Sequence, residues 1–158
     1  MPHISIHVAF WAVFIVLLLG TCGLAIWKGG PAERYGALLI LFFALLWEFG
    51  RLLPPSFAPW MPLVQLVGDG LTAVGLLVVA MRYASLWLGG ALLFQAVQFS
   101  LHSFYLVTGR PIDMLYLLIN NVNLYAILGC LALGTAMSWR EQRRALRTAE
   151  ASRPTLAL

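Results

Sequence analysis

Charged side chains are scarce in this chain: Asp, Glu, Lys and Arg make up 10% of its 158 residues, whereas 61% are hydrophobic. A water-soluble domain of this size must cover its exterior with polar groups, so a mean hydropathy of +0.87 excludes that class. The bilayer is therefore the expected solvent for most of the chain. At this length we expect one all-α membrane domain, without a separate soluble catalytic module.

Cysteine is equally sparse, and the familiar catalytic motifs are missing. The two cysteines, Cys22 and Cys130, both lie inside apolar runs, and no Cys/His cluster has the spacing of a metal site. The sequence also lacks a nucleophile–base motif, a phosphate-binding glycine loop and a metalloprotease helix. These absences predict packing roles for both cysteines, no metal site and a protein that is not an enzyme.

Five apolar runs, separated by glycine, proline or charge, predict five transmembrane helices in one compact bundle. The helices are expected at residues 4–27, 35–53, 63–83, 85–107 and 112–139. The membrane domain accordingly covers residues 1–139, and a basic cytoplasmic tail covers residues 140–158.

Positive charge collects on one side of these predicted spans. With the carboxyl end inside, eight Lys and Arg residues lie inside and two outside, which agrees with the positive-inside rule. We therefore expect a bacterial inner-membrane protein with a periplasmic amino terminus and a cytoplasmic carboxyl terminus. The same topology puts Trp27, Trp87 and Trp139 at the inner interface. The basic tail is predicted to set topology, with binding of anionic lipid headgroups as the alternative and no role in nucleic-acid binding.

A polar stripe on the fourth apolar run is the most informative pattern. Gln95, Gln98, His102 and Tyr105 stand at i, i+3, i+7 and i+10, which places them within an arc of about 80° on a helix. Such groups avoid lipid, so they are expected to meet other helices, water or a ligand.

Other predicted spans carry polar groups at the same depth. On the third span, Gln65 and Asp69 share a face, and Asp113, Tyr116 and Asn120 form a similar stripe at the start of the fifth. In the predicted topology nearly all of these groups fall within roughly 15 Å of the outer surface. The sequence therefore predicts a polar cavity in the outer half of the bundle.

The candidate residues divide into a charged pair, a carboxylate without a neighbour and a set of polar partners. Glu48 and Arg51 have the spacing of a structural ion pair, whereas Asp69 has no basic residue one helical turn away and is a candidate proton carrier. The full set of predicted ligand-binding or proton-relay residues is Glu48, Arg51, Gln65, Asp69, Gln98, His102, Tyr105, Asp113, Tyr116 and Asn120.

Three functions are compatible with this pattern. The first is a non-enzymatic binding protein or accessory subunit, which would bind a small ligand or lipid headgroup, or associate with other membrane subunits or a second copy of itself. The second is a small permease or proton-coupled carrier that uses Asp69 and His102, with Glu48 and Arg51 as a gate. The third is a redox subunit that binds haem b or quinone through His7 and His102, which the topology puts at similar depth.

Overall fold

The computed structural model describes the backbone of residues 6–50 and 52–151, and the side chains of residues 11–50 and 52–150. This part of the chain is helical and contains no strand. A short 3-10 helix, Pro55–Trp60, leads into the third long helix. The prediction of an all-α bundle is confirmed. The five long helices are α1 (Ile6–Lys28), α2 (Pro31–Gly50), α3 (Met61–Tyr83), α4 (Leu86–Thr108) and α5 (Met114–Ala151).

The helices form a closed bundle in which each one packs against its neighbour in the chain. The ring is completed by α5, which packs against α1 and also touches α2. The short connections after α1 and α3 lie at one end of the bundle, together with the point where the arginine-rich part of α5 begins. We call this the basic end, because Lys28, Arg34, Arg82 and Arg140 belong to it.

The surface of the bundle is that of a membrane protein. Four helical segments of the described chain are long and apolar enough to cross a bilayer: Trp11–Lys28, Pro55–Tyr83, Leu86–Thr108 and Met114–Glu150. Large apolar side chains such as Val16, Leu93 and Val107 are mostly exposed, which is stable when lipid surrounds the bundle and unfavourable in water. Only α2 differs, since its twenty residues include Glu33, Arg34 and Glu48.

The start of α2 differs from the sequence-based expectation. The sequence predicts a helix from Tyr35, because Pro31 reads as the end of α1, but the structure begins α2 at Pro31 itself. Proline suits the first position of a helix, where its fixed φ fits and its missing N–H group costs nothing. The earlier start brings Glu33 into the bundle, where it is buried.

Trp87 joins three helices near the basic end. Its indole packs on Gly36 of α2 and Gly134 of α5, at both of which a Cβ atom would overlap with the ring. Its Nε1–H group donates a hydrogen bond of 2.9 Å to Glu33 Oε1. Trp87 is therefore not exposed at this end of the bundle: it is 6% exposed, whereas Trp27 is 71% exposed. Its depth relative to the interface stays a prediction. Two glycines opposite the ring make enough room to bury it.

We expect Gly134→Ala to destabilise the bundle by about 1–3 kcal/mol, because the added methyl group would displace the Trp87 indole. Reversible unfolding in mixed detergent micelles measures this change.

Gly129→Ala is the matched control on the same helix, because nothing lies within 4 Å of a Cβ atom at that position. Alanine is the better helix former, so this variant should be neutral or up to about 1 kcal/mol more stable. Equal stability of the two variants would show that the contact with Trp87 does not constrain the packing of α4 on α5.

Candidate functional site

The polar stripe of α4 faces the interior of the bundle. Gln95, Gln98, His102 and Tyr105 are all buried, although they belong to a helix that is otherwise largely apolar. Their shared face is directed at α3 and α5, the two helices against which α4 packs most extensively. The stripe therefore meets the polar groups of neighbouring helices.

His102 is the centre of these contacts. Its Nδ1 atom lies against Oδ2 of Asp69 on α3, and the two side chains form a partly buried His–carboxylate pair. The exposed fraction of the side chain is 4% for His102 and 16% for Asp69. Within the described residues, no Lys or Arg side chain forms an ion pair with Asp69. The imidazole is thus the basic side chain that contacts this carboxylate.

The other ring nitrogen of His102 faces three amide side chains. Its Nε2 atom is 2.9 Å from Gln65 Nε2 and 3.2 Å from Gln98 Nε2, and it is also 3.2 Å from Asn120 Oδ1. These neighbours offer both hydrogen-bond donors and an acceptor. Nε2 can therefore accept a hydrogen bond when the ring is neutral and donate one when it is protonated.

Further amide contacts connect the centre to the middle of the bundle. The Nε2 amide group of Gln98 donates to Asn120 Oδ1, and Asn123 Nδ2 donates to Gln98 Oε1 over 3.2 Å. Gln95 Nε2 donates to Asp69 Oδ1 over 3.3 Å and to its backbone oxygen over 3.2 Å. We call Gln65, Asp69, Gln95, Gln98, His102, Asn120 and Asn123 the His102 cluster.

Asp113 forms a second group at the end of the bundle opposite the basic end. The stripe predicted for the fifth helix includes this residue, but α5 begins only at Met114, so Asp113 caps the helix. Its Oδ1 atom accepts hydrogen bonds from the Tyr116 backbone N–H group at 2.9 Å and from the Tyr105 hydroxyl at 2.6 Å. These bonds, and the charge of Arg110, hold the pKa of the Asp113 carboxyl below its usual value.

Two aromatic rings connect Asp113 to the His102 cluster. The rings of Tyr105 and Tyr116 lie 4.9 Å apart between centroids, and Tyr116 lies 5.6 Å from the His102 ring. A row of polar and aromatic groups therefore runs from the surface turn at Asp113 to the buried imidazole.

Glu48, the described member of the predicted ion pair of Glu48 and Arg51, lies apart from this row. Glu48 accepts a hydrogen bond of 3.2 Å from Trp11 Nε1, so it contacts α1, whereas the described partners of His102 belong to α3, α4 and α5. Arg51 lies outside the described residues, and the ion pair stays a prediction.

Haem ligation depends on the same imidazole. The side chain of His7 lies outside the described residues, and both ring nitrogens of His102 are engaged by neighbouring side chains. A bond to haem iron would require Nε2 to leave Gln65, Gln98 and Asn120. For metals, the described residues contain no group of three or more His, Cys, Asp or Glu side chains that could hold an ion.

The polar side chains of the His102 cluster contact one another directly. A groove of about 420 Å³ lies elsewhere, on the outer face of α4 between Phe99 and Thr108. No buried side-chain nitrogen or oxygen in the described residues lacks a hydrogen-bond partner. The outer cavity itself stays a prediction.

Glu33 is buried, but it is not among the site residues predicted from the sequence. It lies near the basic end of the bundle. The sequence did contain a signal, since Glu33 is the third residue of a helix that begins with proline, and carboxylates are favoured in the first turn. Near it, the Gly30 backbone N–H group donates to Ser138 Oγ over 3.0 Å, which ties the α1–α2 turn to α5.

Comparisons with known proteins give no family for this arrangement: no family model matches the chain, and no curated protein or solved structure matches it either.

We expect Gln98→Ala to destabilise the protein by about 1–2 kcal/mol, because Asn120 and Asn123 would lose a shared partner inside the bundle. Unfolding in mixed detergent micelles measures the loss.

Ser100→Ala is the matched control on α4, since Ser100 is exposed and its hydroxyl donates only to Ala96 O of its own helix. Its stability should stay within about 0.5 kcal/mol of the parent. A Gln98→Ala variant as stable as Ser100→Ala would contradict a cohesive role for the cluster.

Proposed function

We propose that this protein is a small proton-coupled carrier of the bacterial inner membrane, with the Asp69–His102 pair as its proton-binding site. The observation that carries the proposal is the direct contact between Asp69 Oδ2 and His102 Nδ1 inside a membrane bundle. Histidine is the side chain whose ordinary pKa lies closest to physiological pH, so it suits reversible proton binding.

The charge of the pair favours coupling of proton binding to a conformational change. With a neutral imidazole the pair carries the single negative charge of Asp69, and with a bound proton it is neutral overall. A buried uncompensated charge is costly in a low-dielectric interior. Protonation would therefore lower the cost of burying the pair and allow the helices around it to move.

The hydrogen-bond partners of His102 are suited to both protonation states. The neutral ring accepts at Nε2 from Gln65, whose amide nitrogen is 2.9 Å away. The protonated ring donates at Nε2 to Asn120 Oδ1, which is 3.2 Å away on α5. A change of protonation would thus exchange a partner on α3 for a partner on α5, the two helices that flank α4.

Protons would reach the site from the end that holds Asp113. Tyr105 and Tyr116 lie between this surface carboxyl and His102, and Tyr105 is hydrogen-bonded to Asp113. We propose that this end is periplasmic, because the basic side chains collect at the opposite end. The amino terminus would then be periplasmic and the carboxyl terminus cytoplasmic.

A second candidate function is an accessory subunit of a membrane complex. The observation that favours it is the complete internal hydrogen bonding of the buried polar side chains in the described chain, together with the packed interior of the cluster. In such a subunit the cluster would fix helix packing, and a partner or lipid would bind at the outer surface.

Replacement of Asp69 distinguishes these two functions. In the carrier, Asp69→Asn removes the charge that makes proton binding favourable while keeping the shape of the side chain. We expect pH-difference infrared spectra of the protein in nanodiscs to show a carboxylate band change that Asp69→Asn lacks. In proteoliposomes, a pH gradient should drive uptake of a radiolabelled amino acid, monosaccharide or organic cation, and the variant should lower the rate at least roughly tenfold.

Glu141→Gln serves as the control, because Glu141 is an exposed carboxylate on the arginine-rich part of α5. It should retain both the infrared change and the uptake. Absence of gradient-driven uptake by the parent protein for all three probes, with no pH-dependent band assignable to Asp69, would contradict the carrier and favour the accessory subunit.

A further inference from the structure

Four arginines share one side of the carboxyl-terminal part of the last helix. Arg140, Arg143, Arg144 and Arg147 stand at i, i+3, i+4 and i+7 on α5, which continues as one helix to Ala151. At 100° per residue these positions fall within an arc of about 100°. The four side chains surround a single concavity of about 170 Å³. We call this surface the arginine face.

The arginine face is directed away from the bundle. The inner side of α5 is marked by the buried Leu131 and Thr135, and by Ser138, which accepts a hydrogen bond from the α1–α2 turn. On a regular helix the centre of the arginine face lies about 180° from the mean direction of these three residues. The face is therefore turned toward the membrane surface around the protein and away from its own interior.

The depth of the arginine face is marked by two tryptophans that contact cations. Arg143 lies 4.1 Å from the Trp139 ring centroid, and Lys28 lies 4.0 Å from that of Trp27. The two pairs stand at similar height, because the turn after Lys28 is bonded to Ser138. Tryptophan next to a cation is typical of the headgroup layer. The helix rises about 10 Å from Arg140 to Arg147. The turn that begins at Arg140 therefore lies within the headgroup layer, which is roughly 5–8 Å thick.

We propose that the arginine face binds the phosphate groups of anionic phospholipids in the surrounding leaflet. Guanidinium groups bind phosphate oxygens through paired hydrogen bonds, and adjacent arginines one helical turn apart can share one headgroup. Binding on this outward side fixes the tilt and depth of α5, whose length exceeds the thickness of the hydrocarbon core. This lipid site is independent of the proposed proton carrier.

The test uses the full chain in nanodiscs made from equal parts of phosphatidylglycerol and phosphatidylcholine. After transfer to mild detergent, native mass spectrometry reports which lipids stay bound. We expect the parent protein to retain phosphatidylglycerol preferentially. Replacement of Arg140, Arg143, Arg144 and Arg147 by glutamine should lower the ratio of bound phosphatidylglycerol to bound phosphatidylcholine at least about fivefold. This lower bound is the effect expected from the loss of one Lys or Arg near an anionic membrane surface.

A rearranged variant separates the one-sided arrangement from net charge. Gln142→Arg with Arg143→Gln, combined with Arg144→Ala and Ala145→Arg, keeps the composition but moves two arginines to the opposite side of α5. We expect this variant to lose most of the preference. Circular dichroism and thermal unfolding check that both variants retain the helical fold.

The outcomes are distinct. Loss of preference in both variants supports a lipid site on one face of α5. If the rearranged variant retains the preference of the parent, net charge alone attracts the lipids and the proposed site is wrong. Retention by the four-glutamine variant also overturns the proposal. Displacement of phosphatidylglycerol by inorganic phosphate at equal ionic strength would identify a site for free phosphate and contradict the lipid as its ligand.

Discussion

A polar side chain on a helix surrounded by lipid must find its partners on a neighbouring helix, because no water is present to replace them. In this bundle His102 satisfies that requirement through contacts with both α3 and α5. One imidazole therefore fixes the rotation and relative depth of three helices, since a shift of any of them would break contacts in a medium that offers no substitutes. The same contacts create a compact group with a titratable pair at its centre.

At the basic end of the bundle, helix packing depends on a tryptophan ring and not on a polar cluster. There Trp87 fills the space above Gly36 and Gly134, and its single polar atom is bonded to Glu33. The apolar core of the bundle includes the fully buried leucines Leu76, Leu88 and Leu131. In a proton carrier this apolar core would be the barrier that helix movement has to open, because a static apolar interior does not conduct protons.

The polar stripe of α4 shows what helical spacing can predict and what it cannot. The spacing of Gln95, Gln98, His102 and Tyr105 predicted a single interior face, since helical geometry alone determines which residues share a side. It did not predict which side chains of α3 and α5 the stripe contacts. Spacing specifies direction but not the distance between two helices, which depends on how their side chains interlock.

The region around Glu33 shows the other limit of sequence reasoning. Pro31 was interpreted as the end of one helix, whereas it begins the next. Trp87 is buried at its end of the bundle because two glycines distant in the sequence provide a place for its ring. Nothing near Trp87 in the sequence specifies these glycines, because they belong to α2 and α5.

Composition and the regular geometry of a helix account for the membrane class, the number of long helices and the inward direction of the polar stripe, so these features can be read from the sequence. The pairing of Asp69 with His102, the amides of α3 and α5 around the imidazole, and the burial of Trp87 and Glu33 become known only from the folded bundle. Such contacts join residues far apart in the chain. Their distances depend on the simultaneous packing of all five helices.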